Sequence, residues 1–469
     1  MLTYDLDKRG STPLYDYLYQ CIRQDIISGR LQAGERLPSK RTLAQHLSVG
    51  IITVANAYAQ LAVEGYITSR EKKGYFVEDV SSYRVRRKAA AAMQPEAAER
   101  EYFADFKANR ISLQNFPLAT WTRLMRETLS VHNEELLKTV PYKGVYELRK
   151  AIAAYLAHNR AMQVDPSQII IGAGTEYLYG RLLQMFGHAC TLAIEEPGYK
   201  KFASISASFG NPWKYIPIDD NGLMIDKLEE SGADVVHLSP ANHFPTGIVM
   251  PVTRRLELFE WVNRIRKRYI IEDDYDSEFR YTGRFILPLY AQDTQSRVIY
   301  MNTFSKSLVP SLRISYMVLP PRLLERYEQT MSFYSCTVSS FEQYTLARFI
   351  SEGYFERHIN KMKNYYREQR HKILAAIHAS PLAAVSQITE RNAGTHFVLH
   401  INTKLTEAEV RKAALAADMS LSFYSDYSHN TEENDGCTLV INYAAIEADK
   451  IAAVIERLSS LFPECNQIS

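Results

Sequence analysis

Cysteine is scarce in this chain of 469 residues, which has five: Cys21, Cys190, Cys336, Cys437 and Cys465. Their number is odd and no two form a CxxC pair. That argues against a zinc knuckle and against a disulfide framework, so no metal site is expected. Long apolar runs are missing as well. None approaches the ~18 consecutive apolar residues that span a bilayer. The opening stretch, MLTYDLDKRG, carries acidic side chains where a secretory signal has an apolar core. A cytoplasmic protein with no membrane partner is expected. Neither sign of charge is in excess, since Lys+Arg 55 against Asp+Glu 53 leaves only +2. Any nucleic-acid contact must therefore come from a local patch. No internal repeat is visible.

What is present is a globular composition, 46% hydrophobic and 23% charged. The length exceeds the ~250–300 residues at which one core stops growing, so two or three domains are expected. Residues 81–104, SSYRVRRKAAAAMQPEAAEREYFA, are rich in Ala and charge, with Pro95 inside and few large apolar side chains. They read as a linker. The expected division is 1–80, a linker at 81–108, and 109–469.

In the first unit, Leu14, Leu18, Cys21, Ile22, Asp25 and Ile26 have helical spacing that ends at Gly29. Ser39 precedes a helix carrying Leu43, Ala44 and Leu47. After the turn SVG, a second helix carries Val54, Ala55, Tyr58 and Leu61 and stops near Gly65. Two short β segments then flank Lys72-Lys73-Gly74. This is the order of a winged helix-turn-helix. A recognition helix shows small and polar side chains to base edges, here Thr53, Asn56 and Tyr58. Arg36, Ser39, Lys40 and Arg41 lie just before it, placed for phosphates, with Ser39 also capping. The wing adds Arg70, Lys72 and Lys73. Residues 1–80 hold 10 Lys+Arg against 9 Asp+Glu, so the cations matter by clustering. These residues alone also fit a helical dimerisation module with solvated charges.

The second unit alternates β-like runs, at 169–174, 191–196, 234–240, 268–274 and 297–303, with helical patterns. That predicts a mostly parallel sheet with helices on both faces. Ligands bind such sheets at the carboxyl ends of the strands. In TFSKSLVPSLRISY (303–316), Lys306 has Thr303, Ser305 and Arg313 around it. Hydroxyls and a guanidinium beside a lysine suit a Schiff base with a phosphorylated aldehyde. Alone, the pair also fits a hydrolase dyad or a surface pair. Asp273 and Tyr275 end a buried run, where an acid can pair a protonated pyridine nitrogen or simply cap a helix. In GAGTE (172–176), the backbone N–H groups of Gly174, Thr175 and Glu176 can cradle a phosphate, or form an ordinary βα turn. Tyr199 in EEPGY can stack on a ring or pack in the core.

The segment GERLPSKRTLAQHLSVGIITVANAYAQLAVEGYI resembles the winged helix of GntR-type bacterial regulators, across nearly all of residues 11–79. The series GAGTE, EEPGY, NHFPTG, EDDYDSEF and SKSLVPSLR resembles the fold-type-I aminotransferases, over about 109–469. The two joined by a linker resemble the MocR branch of the GntR regulators. That resemblance implies an α/β chain: winged helix-turn-helix, linker, then an aminotransferase-like domain with a large sheet and a small C-terminal α+β part. It implies pyridoxal phosphate as cofactor, with Lys306 forming the Schiff base, Asp273 on the ring nitrogen, Tyr275 on the phenolic oxygen and Tyr199 on the ring. Gly174, Thr175, Thr303, Ser305 and Arg313 would surround the phosphate, and Tyr142 would reach the partner subunit's phosphate. It implies three partners: a double-stranded DNA operator, a second copy in a head-to-tail, domain-swapped homodimer, and an effector, either the cofactor or an amino compound.

Five positions depart from the pattern. Gly50-Ile51 replaces a common Ser-Arg that touches DNA. Phe244 stands where aminotransferases have Asn before Pro-Thr-Gly, which leaves Asn242 upstream as the cofactor-binding candidate. Ala445 stands where an arginine clamps the ligand's carboxylate, and no arginine lies between Arg411 and Arg457. Lys201 replaces a second ligand-binding arginine, keeping the charge without the fork. An amino acid effector that needs this anchor is thereby disfavoured, which leaves pyridoxal phosphate itself as a candidate signal, as the resemblance to the MocR regulators of vitamin B6 synthesis implies. An amino acid or amine effector, a working aminotransferase with a DNA-binding arm, and a scaffold without cofactor are the alternatives. His396, in AGTHF, reads as a packed core histidine.

Overall fold

The computed structural model describes residues 2–80, 101–107, 115–131, 133–283, 285–391, 393–429 and 436–467. They fall into two compact units, Met1–Glu99 and Arg100–Ser469. Most of the expected linker, 81–100 with 108, lies outside the described residues.

The first unit is built from helices α1 (Leu14–Ser28), α2 (Lys40–Leu47) and α3 (Ile51–Val63) and the hairpin β1 (Ile67–Arg70) and β2 (Gly74–Val77). Gly29, at φ 78°, stops α1 in the left-handed region. Ser39 caps α2, its hydroxyl accepting the N–H of Thr42. The apolar stripes meet in one core of Leu18, Ile22, Leu43, Val54, Leu61 and Val77. Burying one such side chain contributes ~1.5–3 kcal/mol, which a unit this small needs.

In the second unit, β3 (Ala104–Asp105) comes first. A sheet follows, made of β4 (Ile169–Gly172), β5 (Leu192–Glu196), β6 (Trp213–Asp219), β7 (Gly222–Leu223), β8 (Val235–Leu238), β9 (Tyr269–Asp273), β10 (Val298–Thr303) and β11 (Ser315–Val318). Among the described residues its order is β4-β11-β10-β9-β8-β5-β6-β7. The centre is parallel, from β10 through β9, β8 and β5 to β6. β11 runs antiparallel to both β10 and β4, and β7 antiparallel to β6. The connection from β10 to β11 carries only the short turns Phe304–Ser307 and Pro310–Leu312 instead of a crossover helix, and the chain doubles back. Successive strand residues face opposite layers: Ile271 and Ile299 join one core cluster, Ile270 and Val298 another.

The C-terminal part carries β12 (Ser386–Thr389), β13 (His396–Ile401), β14 (Met419–Ser420) and β15 (Cys437–Asn442). β12, β13 and β15 form an antiparallel sheet, which packs with the helices Tyr354–His378 and Ile451–Ser459. β14 pairs with β3. The linker expected to run to 108 therefore ends earlier. Residues 101–107 are tied into the second unit, with Phe106 buried in its core. No described helix is long and apolar enough to cross a membrane. No cluster of three metal-ligating side chains occurs among the described residues.

Candidate functional site

A cavity of ≈270 Å³ opens at the carboxyl ends of β5, β8, β9 and β10. Asp273 and Thr303, the last residues of β9 and β10, line it, as do Glu195 of β5 and Ser239 just after β8.

One corner is built for an anion. Gly174, at φ 99°, precedes the helix Thr175–Phe186 and gives it no side-chain cap, which leaves the first-turn N–H groups available to an anion. Thr175 and Glu176 line the cavity there. Arg313 faces them, its Nη2 2.9 Å from Oε2 of Glu176. Thr303 Oγ1 accepts the N–H of Ser305 at 3.1 Å and the hydroxyl of Ser315 at 2.8 Å. The Ser305 hydroxyl is buried without a partner.

Lys306 sits on the single turn Phe304–Ser307 and lines the same cavity. Burial holds its ammonium below the usual lysine range, opposed by the Asp276 carboxylate. An amine kept closer to neutral is a better nucleophile.

Deeper in, Oδ1 of Asp273 is buried with no hydrogen-bond partner. Its Oδ2 lies 3.7 Å from Nε2 of His237, which is also without one. The His237 ring is 3.9 Å, centroid to centroid, from Phe202 and 5.6 Å from Tyr179. Glu195 accepts the Ser239 N–H at 3.0 Å. Burial pushes its carboxyl up to about 8, and nearby Asp273 adds to the effect. Tyr275 and the exposed Tyr199 complete this wall.

A roof comes from the C-terminal part. Phe244 meets Tyr427 edge to face at 4.7 Å. Gly198 donates its N–H to the Tyr427 carbonyl at 2.9 Å, and Ser428 donates to Glu196 at 2.7 Å. These bonds fasten the loop to the end of β5. The cations of the described lining are Lys107, Lys306 and Arg313.

Two expectations for the lining differ. Asn242 lies outside it, donating to both Asp276 oxygens at 3.0 and 2.9 Å and standing 3.4 Å from the Tyr275 hydroxyl. A buried carboxylate is the stronger acceptor, so the amide turns away from the cavity. Tyr142, expected at the partner subunit's phosphate rather than in this lining, is stacked at 6.4 Å on Tyr327. Gly174 adjoins the cavity through Arg313 rather than lining it. His396 is buried beneath Phe244 at 4.9 Å, and burial pushes its imidazole down to about 4. Sequence reading missed Phe106, Lys107, Ser422, Tyr427, Val440 and Asn442, which only tertiary folding brings to the cavity. Ala445 closes the turn Tyr443–Ala445.

In the first unit, Arg36, Arg41, Asn56, Lys72 and Lys73 are exposed. Lys40 lies over the Tyr75 ring at 5.1 Å, and Thr53 is half-buried. The Ser39 hydroxyl is occupied by its cap to Thr42 at 3.1 Å. Tyr58 is corrected: it is fully buried, donates to the Pro38 carbonyl at 3.0 Å and packs on Tyr75, so it is not free to read bases. Its helical spacing with Val54 and Leu61 was the signal for that. Ile51, of the pair that replaces Ser-Arg, and Ile52 are 50% and 76% exposed at the start of α3.

A winged helix on one chain with an aminotransferase-type domain defines a DNA-binding protein that carries a small-molecule pocket. Residues 104–457 match the family model of aminotransferase class I and II, and residues 14–77 that of the gntR family of bacterial regulatory proteins. The HTH-type transcriptional regulator YdeL of Bacillus subtilis, itself uncharacterized, is 36% identical over 98% of this chain and 99% of its own. The HTH-type pyridoxine biosynthesis transcriptional regulator PdxR of Corynebacterium glutamicum is 25% identical over 97% of each. The crystal structure of a multiple substrate aminotransferase from Thermococcus profundus shares the fold, with TM-score 0.69 and 23% identity over 79% of this chain and 94% of its own. The chain belongs to the gntR family of bacterial regulatory proteins, in the MocR-type branch of pyridoxal-phosphate-dependent transcription regulators. The gntR domain implies DNA binding, and the aminotransferase fold implies pyridoxal phosphate.

Proposed function

We propose that pyridoxal phosphate, held at Lys306, is the signal that changes how this regulator grips a double-stranded operator, and that genes of vitamin B6 supply are its targets. One observation carries the reading. Lys306, the partnerless Oδ1 of Asp273 and the anion corner at Arg313 share one cavity. The donor set fits the group: an amine for the aldehyde, a carboxylate for the ring nitrogen, and N–H groups, hydroxyl and guanidinium for the phosphate. Bound there, the cofactor supplies an aldehyde carbon and a visible chromophore.

Each residue then has a task. Lys306 offers its amine at Nζ. Asp273 would pair the ring nitrogen and favour its protonated form. Tyr275 would contact the phenolic oxygen, and Tyr199 would cover the ring. Thr175, Glu176 (by its N–H), Thr303, Ser305 and Arg313 hold the phosphate. Two features support the cofactor, rather than an amino acid, as effector. The described lining offers no second guanidinium to clamp a carboxylate. A relative also carries pyridoxine biosynthesis in its name.

Such a signal works only by binding one state more tightly, and moving from mostly one state to mostly the other takes ~5 kcal/mol of differential affinity. The proposed working form is a cytoplasmic, domain-swapped homodimer, with Tyr142 at the partner's phosphate. Its two winged helices would meet half-sites spaced by whole helical turns. Titration of the protein with pyridoxal phosphate tests the site. A saturable visible band absent from Lys306→Ala supports it; no band, or the same band in both, contradicts it.

A further inference from the structure

Glu176 places a full negative charge where the phosphate would sit. It is the second residue of the helix Thr175–Phe186, and it lines the cavity. Its two oxygens are divided between two cations. Oε2 accepts from Arg313 at 2.9 Å, and Oε1 pairs with Lys201 at the start of the helix Lys201–Ser208. Partial burial works against ionisation, but Lys201 and Arg313 hold its carboxyl below the ordinary range. The helix N-terminus favours an anion there too.

Phosphate would need these same groups: the Arg313 fork and the first-turn N–H groups. It would also meet a fixed carboxylate on that very turn. Like charges so close cost affinity, and a guanidinium already paired must change acceptors. Arg313 can make that exchange without leaving the corner, because its guanidinium is packed over the bare backbone of Gly174 and is half exposed. Lys201 would then keep Glu176 neutralised.

Resting on the functional reading above, we propose that Glu176 competes with the cofactor's phosphate for Arg313, with Lys201 as its counter-charge, and so sets a reversible affinity suited to sensing. Aminotransferase chemistry needs a cofactor that stays. A sensor needs one that leaves when its concentration falls. The plainer role, a carboxylate that merely stabilises the helix, predicts no dependence on the phosphate.

The experiment titrates full-length wild type, Glu176→Gln and Lys201→Gln with pyridoxal phosphate and, separately, with pyridoxal, following the visible band. Glu176→Gln should tighten pyridoxal phosphate about tenfold and leave pyridoxal unchanged. Lys201→Gln should weaken pyridoxal phosphate alone, and it also serves if Glu176→Gln does not fold. A Glu176→Gln affinity that is unchanged or weaker, or a shift shared equally by both ligands, overturns the inference while the wild-type band stands. No band in the wild type overturns the functional reading and this inference with it.

Discussion

A Cβ added to Gly174 would stand 2.3 Å from Nη2 of Arg313. The guanidinium thus lies directly on glycine backbone at the start of a helix, on a residue held at φ 99°. Helix N–H groups and a forked cation converge on one small volume because no side chain separates them.

Gly174→Ala should therefore damage the corner first. Arg313 must move off the helix N-terminus, and the backbone conformation of Gly174, φ 99° and ψ 157°, adds ~1–3 kcal/mol of strain for a residue with a Cβ. Affinity for pyridoxal phosphate should fall about tenfold or more, with a lesser drop in melting temperature. A titration beside a melting curve checks both. Unchanged affinity would mean that Arg313 does not serve the phosphate.

Tyr58 and Asn56 should separate stability from recognition. Tyr58→Phe loses the bond to the Pro38 carbonyl, costing ~1 kcal/mol or a little more, and should leave operator affinity nearly intact. Asn56→Ala, on the exposed face, should keep the melting temperature and weaken specific over non-specific binding, by ~1–3 kcal/mol if it reads a base. Paired melting and DNA-shift measurements decide. Loss of specificity in Tyr58→Phe would contradict the buried role.

Glu195 gives the apo protein a pH dependence. Burial raises its folded pKa from 4.5 to about 8. Between those values the native state holds one proton more than the unfolded chain, so stability falls as pH rises through that window. The penalty is absent below the unfolded value and complete above the folded one. Glu195→Gln lacks the titration. Its unfolding free energy should gain on the wild type as pH rises from about 5 to about 8, by up to ~1.4 kcal/mol for each unit crossed, with the melting temperature moving the same way. A constant difference across that range would contradict it.

Much of the architecture was legible because buried strands write themselves as apolar runs. Ile169–Gly172, Leu192–Glu196, Val235–Leu238, Tyr269–Asp273 and Val298–Thr303 all fall within runs read from the sequence. Direction was not legible. β11 is as buried as the parallel strands at the centre of the sheet, so its composition says nothing of its reversed sense. The residues of the motifs sit at strand ends, and local pattern reaches those. Phe106 and Tyr427 enter the same cavity from segments hundreds of residues apart, which no periodicity encodes. Tyr58 was misread because one helix face was assigned to DNA by residue type when its spacing already placed it in the core.

The central claim is that occupancy at Lys306 governs operator binding. The most direct measurement is a DNA-shift titration of wild type and Lys306→Ala across pyridoxal phosphate concentrations, at fixed salt because phosphate-backbone contacts are salt-dependent. The account predicts that wild-type affinity for the operator moves about tenfold or more with the cofactor, while Lys306→Ala binds DNA without responding. An equal response in both proteins, or none in the wild type while its visible band saturates, would contradict it.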